Sequence, residues 1–281
     1  MMIEEVVPVE VIRRFRHLAA RQLGLDIGEH LEPMIGARIR KRLSASKLSL
    51  QSYLVRLHQD DAGQEIIAFW DFVRPRPARF FARWPDSRRL NAQVAAALQQ
   101  GDRRFRFWSA GCGSGEEAYT MVLVAHHAME AAGIDPLDVD LKVLATDLSP
   151  RSLEMGKRGI YAAPQIWDVP KGMRRRHFVE TTAGFQISDE IYARVVFRQL
   201  HLAQPPFFMT GKLDAVFCEE GLQSMIPQSQ RLAIKAARAL LVDGGLIRTG
   251  LDEEFLRSSD EPAKASAEKA TRSDSGSPTV C

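Results

Sequence analysis

The sequence has few cysteines and no long hydrophobic run. Its three cysteines, Cys112, Cys218 and Cys281, have neither the spacing of metal ligands nor the number that a disulfide framework needs. No apolar stretch approaches the roughly 20 residues of a membrane-spanning helix. The first residues, MMIEEVVPVEVIRRF, contain acidic side chains where a secretory signal would be basic. These absences predict a cytoplasmic protein without a metal site and without insertion into a membrane.

The formal net charge of +3 is too small to indicate a partner, but the arginines are unevenly distributed. Six arginines against one aspartate lie between Phe72 and Arg89, and a second basic cluster spans 37–43. Such segments bind nucleic acid or an acidic protein surface, or they form a solvated helix face and a linker. The three prolines of the first segment predict irregular structure, whereas RNA bases usually stack on a sheet. A nucleic-acid partner therefore depends on the arginines alone and is not expected.

Apolar spacing predicts helices between residues 9 and 73. The i, i+3/i+4 rhythm from Val11 to Leu23 is followed by Gly24 as a C-cap. A second apolar stripe spans 35–43, and Ser49 is the predicted N-cap of a third helix. Helices of this kind form small bundles that do not by themselves indicate a function.

Short apolar segments then alternate with helical ones. Strands are predicted over 104–110, 140–149, 194–200, 213–220 and 244–250, and helices over 115–132, 228–241 and after an N-cap at Ser149. This alternation is typical of an α/β fold with a parallel sheet. Beyond Phe255 the sequence has too few apolar residues to form a core, which predicts a disordered tail.

A glycine-rich turn follows the first predicted strand. It contains Gly111, Gly113 and Gly115, and Glu116 and Glu117 come directly after it. In an open parallel sheet, ligands bind at the carboxyl ends of the strands. A pyrophosphate would bind at this helix N-terminus, but two carboxylates would repel it. They suit a cationic ligand such as S-adenosylmethionine, which has a sulfonium, an ammonium and a ribose but no phosphate.

Asp147 ends the second predicted strand, where an acidic residue can accept hydrogen bonds from ribose hydroxyls. The alternative is that the two glutamates only stabilise the helix dipole, which favours acids at this position. A Gly-x-Gly-x-Gly turn alone is a weak signal. Together with the double acid and Asp147, it favours an adenosylmethionine-type ligand.

Three segments resemble a known family. The sequences WSAGCGSGEEAYT (108–120), VLATDLSPRSLEMGKRGIY (143–161) and LDAVFC (213–218) are similar to the CheR-type methyltransferases, which methylate glutamate side chains of chemotaxis receptors. The resemblance extends over roughly residues 10 to 255. It implies an α/β fold with a Rossmann-like S-adenosylmethionine-dependent methyltransferase domain, a small all-α helical domain before it, and a short antiparallel β insert.

The resemblance also implies a domain division. We expect an N-terminal helical domain over 1–73, a basic linker and helix over 74–103, a methyltransferase domain over 104–255 with its β insert at about 161–192, and a disordered tail over 256–281.

The implied activity is O-methylation of glutamate side chains on chemotaxis-type receptors, within a signal-transduction pathway. The basic second helix resembles the surface with which the family approaches the acidic cytoplasmic helices of receptors. The resemblance assigns no catalytic residue. The implied cofactor-binding residues are Gly111, Gly113, Glu116, Glu117, Asp147, His201 and Leu202.

The acceptor side departs from the family pattern. The family reads Asn-x-Thr-x-Phe-Phe-Arg before the first strand, but only the phenylalanines at 80–81 match and Ala82 replaces the arginine. After the fourth strand, Glu219 and Glu220 replace an Arg-Asn pair, and Ser224 replaces a tyrosine. Two carboxylates at this edge are expected to repel an anionic acceptor by about 1 kcal/mol or more each. The alternative function is therefore a non-catalytic regulatory protein that binds adenosylmethionine or a receptor.

The family also has two strands after the one that resembles residues 244–250, whereas low-complexity sequence follows here. The resemblance thus predicts a C-terminally truncated sheet. Its last strand would have unpaired backbone groups, which favour self-association.

Overall fold

The computed structural model describes residues 7–60, 63–73, 79–82 and 84–251. The chain divides into two compact units, residues 1–250 and residues 251–281. Predictions for residues 74–78, for residue 83 and for the tail from 252 onward lie outside the described residues.

The N-terminal region is helical, as predicted. Its helices are α1 (Val9–Leu23), α2 (Glu32–Ser46), α3 (Leu50–His58) and α4 (Gln64–Val73). Gly24 ends α1 in the left-handed conformation with φ 62°, which a glycine adopts without strain. The Ser49 hydroxyl accepts a hydrogen bond from the Ser52 amide at 3.2 Å and caps α3. Both predicted caps are therefore confirmed.

Five parallel strands form the central sheet. In chain order they are β1 (Arg104–Ala110), β2 (Asp140–Asp147), β6 (Val195–Gln199), β7 (Leu213–Phe217) and β8 (Leu241–Arg248). Their spatial order is β6-β2-β1-β7-β8. The order reverses between β1 and β7, and this reversal is the switch point where open α/β sheets bind ligands.

Helices connect these strands, and a small antiparallel sheet follows β2. The small sheet consists of β3 (Ile160–Tyr161), β4 (Phe178–Thr181) and β5 (Gly184–Ile187), in the order β3-β5-β4. The remaining helices are α5 (Trp84–Gln99), α6 (Glu116–Ala131), α7 (Pro150–Arg158), α8 (Lys171–His177), α9 (Asp189–Tyr192), α10 (Glu219–Gln223) and α11 (Pro227–Arg238). The expected fold class, including the antiparallel insert, is thereby confirmed.

The segment after the fourth strand of the central sheet differs from its prediction. The strand predicted over 213–220 ends at Phe217, and α10 begins at Glu219. Glu219 and Glu220 lie in the first turn of α10, where the helix dipole favours acids. The side chain of Glu219 is also held by Arg248 of the neighbouring strand.

The apolar side chains form two clusters. One lies between the N-terminal helices and includes Phe15, Ile35 and Trp70. The other surrounds the central sheet and includes Phe80 and Tyr119. Two clusters fit a helical domain beside a methyltransferase domain, but the expected domain boundaries stay a prediction.

Candidate active site

The carboxyl ends of the parallel strands meet at one edge of the sheet. The last residues of β1 and β2, Ala110 and Asp147, lie beside Thr146 and Gln199 in the strand register. On the other side of β1, Phe217 of β7 pairs with Arg248 of β8. Polar and charged side chains therefore cluster here even though they are far apart in the sequence.

The first of two clefts at this edge, which we call the β2 cleft, lies beside β2 and has about 420 Å³ of empty space, part of it open to solvent. It brings together four of the predicted cofactor-binding residues: Gly111, Asp147, His201 and Leu202. The other lining residues are Leu23, Leu25, Trp70, Leu148, Leu200, Ala203, Gly221, Ser224 and Met225.

Asp147 is fixed in this cleft by backbone donors. One carboxylate oxygen accepts a hydrogen bond from the Gly113 amide and the other from the Ser149 amide, both at 2.9 Å. The residue is only 2% exposed. An ionised carboxylate has about four lone-pair sites, and these two backbone bonds use two of them. The same two bonds hold the glycine-rich turn against the end of β2.

Gly111 lies in close backbone contact with Gly221. A Cβ atom built on Gly111 would lie 2.4 Å from the Gly221 Cα, and Gly111 has φ 83°. The Gly111 amide also donates to the Thr146 carbonyl at 2.7 Å. A glycine is needed here both for the left-handed conformation and for the close approach.

His201 has two buried ring nitrogens without a hydrogen-bond partner among the described residues. The backbone of Gln22 lies near enough to favour the charged ring, but it forms no hydrogen bond of normal geometry. Burial has the larger effect and lowers the pKa of His201 below its usual value. The ring is therefore a neutral group whose nitrogens have no hydrogen-bond partner in the part of the chain that the structure describes.

The side chains of Glu116 and Glu117 point in different directions, one into the interior and the other into a cleft. Glu116 is completely buried and is not among the residues that line either cleft. It accepts hydrogen bonds from the Ser114 hydroxyl and, at 2.6 Å, from the Gln165 amide. Burial raises its pKa to about 7, against the opposing effect of these bonds.

Glu117 lines the second cleft, which we call the β8 cleft and which has about 490 Å³ of empty space, part of it open to solvent. Its carboxylate accepts a hydrogen bond from the Ser109 hydroxyl at 2.7 Å. The cleft combines an apolar wall with charged side chains. The other lining residues are Arg79, Phe81, Ala82, Ser87, Leu90, Thr120, Met121, Val124, Phe217, Glu220 and Arg248.

The expectation that two carboxylates repel an anion at this edge is wrong for Glu219. The Glu219 carboxylate is 2% exposed and accepts two hydrogen bonds from the Arg248 guanidinium, one of them from Nε at 2.8 Å. Its charge is therefore neutralised inside the protein. Glu220, in contrast, lines the β8 cleft.

Sequence reasoning missed the contribution of the N-terminal helices to the β2 cleft. The Asp26 amide donates to the Ser224 carbonyl, and the Ile226 amide donates to the Gly24 carbonyl, each at 2.9 Å. These bonds place the end of α1 against the segment after α10. Leu23 and Trp70 consequently form one wall of the cleft, and no local sequence pattern indicates such a long-range contact.

The described residues contain no group of three or more histidine, cysteine, aspartate or glutamate side chains that could hold a metal ion. None of the described helices is long and apolar enough to cross a bilayer.

Several curated proteins are similar to this chain. Chemotaxis protein methyltransferase 2 of Pseudomonas aeruginosa is 27% identical over 255 residues, which are 89% of this chain and 88% of that protein. The chemotaxis protein methyltransferase of Borreliella burgdorferi is 25% identical over 74% of this chain and 75% of its own length. The probable biofilm formation methyltransferase WspC of Pseudomonas aeruginosa is 28% identical over 87% of this chain and 57% of its own length.

Solved structures with some likeness include the CcbJ methyltransferase from Streptomyces caelestis and a DhpI–SAH complex. Both are 14% identical, with TM-scores of 0.31 and 0.29; they cover 56% and 59% of this chain, and 50% and 58% of their own lengths. These scores are too low to bear on fold or function.

The family model described as "CheR methyltransferase, SAM binding domain" matches residues 78–271. The matched region is more than half of the chain, and it includes Gly111, Asp147 and Arg248 of the two clefts. The protein therefore belongs to the CheR methyltransferase family.

Proposed function

We propose that the protein transfers a methyl group from S-adenosylmethionine to glutamate side chains of a chemotaxis-type receptor. The main support is the β2 cleft, which places Gly111, Asp147, His201 and Leu202 around one space at the switch point of the sheet. The family match and the names of the relatives support the reaction class.

The residues of the β2 cleft suit this cofactor. Asp147 lines the cleft at the end of β2, where a carboxylate can accept hydrogen bonds from ribose hydroxyls. The ring nitrogens of His201, which have no partner among the described residues, can bond to the edge of an adenine. Leu148, Leu202 and Trp70 provide apolar surface for the base. Of the two glutamates after the turn, Glu117 adds negative charge on the side of the β8 cleft, whereas Glu116 is buried and its raised pKa of about 7 leaves it only partly ionised at neutral pH. We propose direct contacts for Gly111, Asp147, His201 and Leu202, while a contact with Gly113, Glu116 or Glu117 stays a prediction.

The reaction needs no general acid or base from the protein. A glutamate carboxylate, with an ordinary pKa of about 4.3, is ionised at neutral pH and needs no general base. The bound cofactor supplies an activated methyl group. The protein's task is to align the acceptor oxygen with that methyl group and to exclude water.

The partner that we propose is the acidic surface of receptor cytoplasmic helices, which also makes the protein a cytoplasmic signalling enzyme. Helix α2 buries Ile35 and Ile39 and has Lys41 and Arg42 on its exposed side. Arg42 also pairs with Glu65 of α4, which fixes its position. A basic helix face of this kind attracts an acidic surface and accelerates association.

One observation favours the second candidate, a non-catalytic binding protein. Ser224 lines the β2 cleft at the position of the family tyrosine, and Ala82 lines the β8 cleft at the position of the family arginine. Neither side chain can orient an acceptor as those residues would. Under this candidate, the protein binds the cofactor or a receptor without transferring a methyl group.

Two measurements distinguish the candidates. Calorimetric titration with S-adenosylmethionine and with its demethylated product tests cofactor binding, which we expect in the micromolar range, corresponding to about −8 kcal/mol. Labelled methyl transfer to a receptor cytoplasmic domain tests catalysis. Label released as methanol by alkali identifies a glutamate ester, because methylated nitrogen is stable to alkali. Cofactor binding without alkali-labile label would favour the binding protein, and absence of cofactor binding would contradict both enzymatic transfer and cofactor sensing.

A further inference from the structure

The glycine-rich turn after β1 has little conformational preference of its own. Gly111, Gly113 and Gly115 have positive φ, at 83°, 55° and 94°. Glycine adopts positive and negative φ about equally well, and it loses more conformational freedom on folding than any other residue. Contacts from outside the turn must therefore select the conformation that the structure shows.

Ser114, which lies between the last two glycines, is held on two sides. Its hydroxyl donates to the buried carboxyl group of Glu116, at 2.9 Å and 2.8 Å from the two oxygens. Its carbonyl accepts a hydrogen bond from the Tyr161 hydroxyl at 2.8 Å. The preceding amide, that of Gly113, donates to Asp147 at 2.9 Å. Hydrogen bonds thus fix the turn to Tyr161 on one side and, on the other, to Asp147, which lines the β2 cleft.

Both anchors of Ser114 depend on the antiparallel insert. Tyr161 ends β3 and is only 2% exposed. Gln165 lies in the 3-10 helical turn Ala163–Ile166, which follows β3. The side-chain amide of Gln165 donates to Glu116 at 2.6 Å, so Glu116 is bonded to Ser114 and to the insert at once. The insert therefore contacts the glycine-rich turn directly through one residue and indirectly through the other.

We propose that Tyr161 and Gln165 are positioning residues for S-adenosylmethionine. They hold the glycine-rich turn, and through it Asp147, in the conformation that binds the cofactor. This inference rests on the proposed function, because it takes the β2 cleft as the cofactor site. A turn that is already ordered in the free protein loses less conformational entropy when the ligand binds, so the anchors raise affinity. The insert thereby becomes part of the cofactor-binding machinery, although none of its described residues lines the β2 cleft.

Two tyrosine substitutions, each of which removes one buried hydroxyl, test the role of Tyr161. Tyr161→Phe removes the bond to the Ser114 carbonyl but retains the ring, which packs edge-on against Phe80 at a centroid distance of 4.8 Å. Tyr119→Phe is the matched control, because the hydroxyl of the completely buried Tyr119 donates to the Gly156 carbonyl on α7 at 3.0 Å. Each variant loses one hydrogen bond to a backbone carbonyl, so both should melt about 2–4 °C below the wild type.

Calorimetric titration with S-adenosylmethionine and with its demethylated product measures affinity. We expect Tyr161→Phe to weaken the binding of both by about three- to tenfold, the usual effect of one hydrogen bond. Tyr119→Phe should stay within about twofold of the wild type. Hydrogen exchange in the free protein gives a second measurement. The Gly113 amide, which donates to Asp147, should exchange faster in Tyr161→Phe than in the wild type or in Tyr119→Phe.

The role of Gln165 has its own matched pair of variants. Gln165→Met removes the amide that donates to Glu116 and retains an unbranched side chain of similar length. Gln186→Met removes another side-chain amide of the insert, which donates to the Arg158 carbonyl at 3.1 Å. Only Gln165→Met should weaken cofactor binding and accelerate exchange in the glycine-rich turn.

A merely structural role would lower the melting temperature of Tyr161→Phe and leave its cofactor affinity equal to that of Tyr119→Phe. That result would overturn the proposal for Tyr161, and wild-type affinity in a folded Gln165→Met protein would overturn it for Gln165. A wild type that binds neither form of the cofactor would contradict the proposed function itself. Weakened binding in both variants, with no methyl transfer by the wild type, would support the positioning role and favour the non-catalytic binding protein.

Discussion

Gly111 and Gly221 bring the turn after β1 and helix α10 into direct backbone contact at the switch point. A Cβ atom on Gly111 would meet the Gly221 Cα at 2.4 Å, and a Cβ atom on Gly221 would meet the Ala110 carbonyl oxygen at 2.8 Å. No side chain separates the loop after β1 from α10, so Glu220 and Gly221 can line neighbouring clefts. The distance between this turn and α10 therefore contributes to the shape of both clefts.

We predict that Gly111→Ala lowers both stability and cofactor affinity. Gly133→Ala is a matched control, because Gly133 has φ 70° and no atom within 4 Å of an added Cβ. The control should cost about 1–2 kcal/mol from backbone strain alone. Gly111→Ala has strain and a backbone clash, so its loss in the free energy of unfolding should be larger. Denaturant titration measures stability and calorimetry measures affinity; equal losses for the two variants would show that the contact with Gly221 is unimportant.

Asp147→Ala should weaken S-adenosylmethionine binding by about 1–3 kcal/mol, the usual cost of losing charged hydrogen bonds. Asp140→Asn is the control, since Asp140 begins the same strand at the opposite edge and pairs with Arg106. The control should leave cofactor affinity unchanged. Asp147 also holds the Gly113 and Ser149 amides, so thermal unfolding must accompany the titration. If the folded Asp147→Ala protein binds the cofactor with wild-type affinity, Asp147 does not contact the cofactor.

Local chemistry was predictable from the sequence. Gly24 ends α1 and Ser49 caps α3 as expected, because the capping preferences depend on neighbouring residues. Asp147 lies at the end of β2 because the strand pattern stops there. The same local logic predicted that the last strand would begin at 244, whereas β8 begins at Leu241.

Long-range pairing was not predictable from the sequence. Glu219 and Arg248 are 29 residues apart, and nothing near either residue indicates that they meet. Without this pair, the acids at 219–220 suggested a repulsive edge. Likewise, Glu116 and Glu117 are adjacent in sequence, but α6 turns one into the interior and the other towards the β8 cleft.

Glu116 is predicted to make stability fall as pH rises. Its pKa in the folded protein is about 7, above the ordinary 4.5, because burial disfavours the charged form. The folded state then binds the proton more tightly than the unfolded state. Its contribution is fully present below about pH 4.5 and is lost as pH rises through about 7.

We therefore expect Glu116→Gln to gain stability relative to the wild type between pH 4.5 and pH 8, by on the order of 3 kcal/mol. Denaturant titration at several pH values measures this difference. Glu117→Gln removes a charge from the next residue, which accepts from Ser109, and serves as the control for charge loss at this turn. A difference between Glu116→Gln and wild type that does not vary with pH would show that Glu116 titrates alike in the folded and unfolded states.

His126 is predicted to have the opposite effect. It lies on α6, is 1% exposed, and faces the insert, where its ring lies 6.1 Å from that of His177. Burial, helped by Arg194 and His177, lowers its pKa to about 4, while Glu130 opposes the shift. Glu190 of α9 lies 3.3 Å from Nδ1, but neither ring nitrogen of His126 has a hydrogen-bond partner of normal geometry among the described residues.

As pH falls, His126 is protonated near pH 6.5 in the unfolded chain but only near pH 4 in the folded protein. Stability should therefore be lost as pH falls from about 6.5 through about 4, by on the order of 2–3 kcal/mol. His126→Leu removes the titrating ring and two unsatisfied nitrogens, so it should gain stability relative to the wild type at pH 5 more than at pH 7.5. The same substitution at the exposed neighbour, His127→Leu, is the control.

Glu116 changes stability in the opposite direction over part of the same pH range. The contribution of His126 is therefore obtained only from the difference in stability between variant and wild type at each pH. A His126→Leu protein whose difference from wild type is the same at both pH values would show that the ring is not held neutral by the fold.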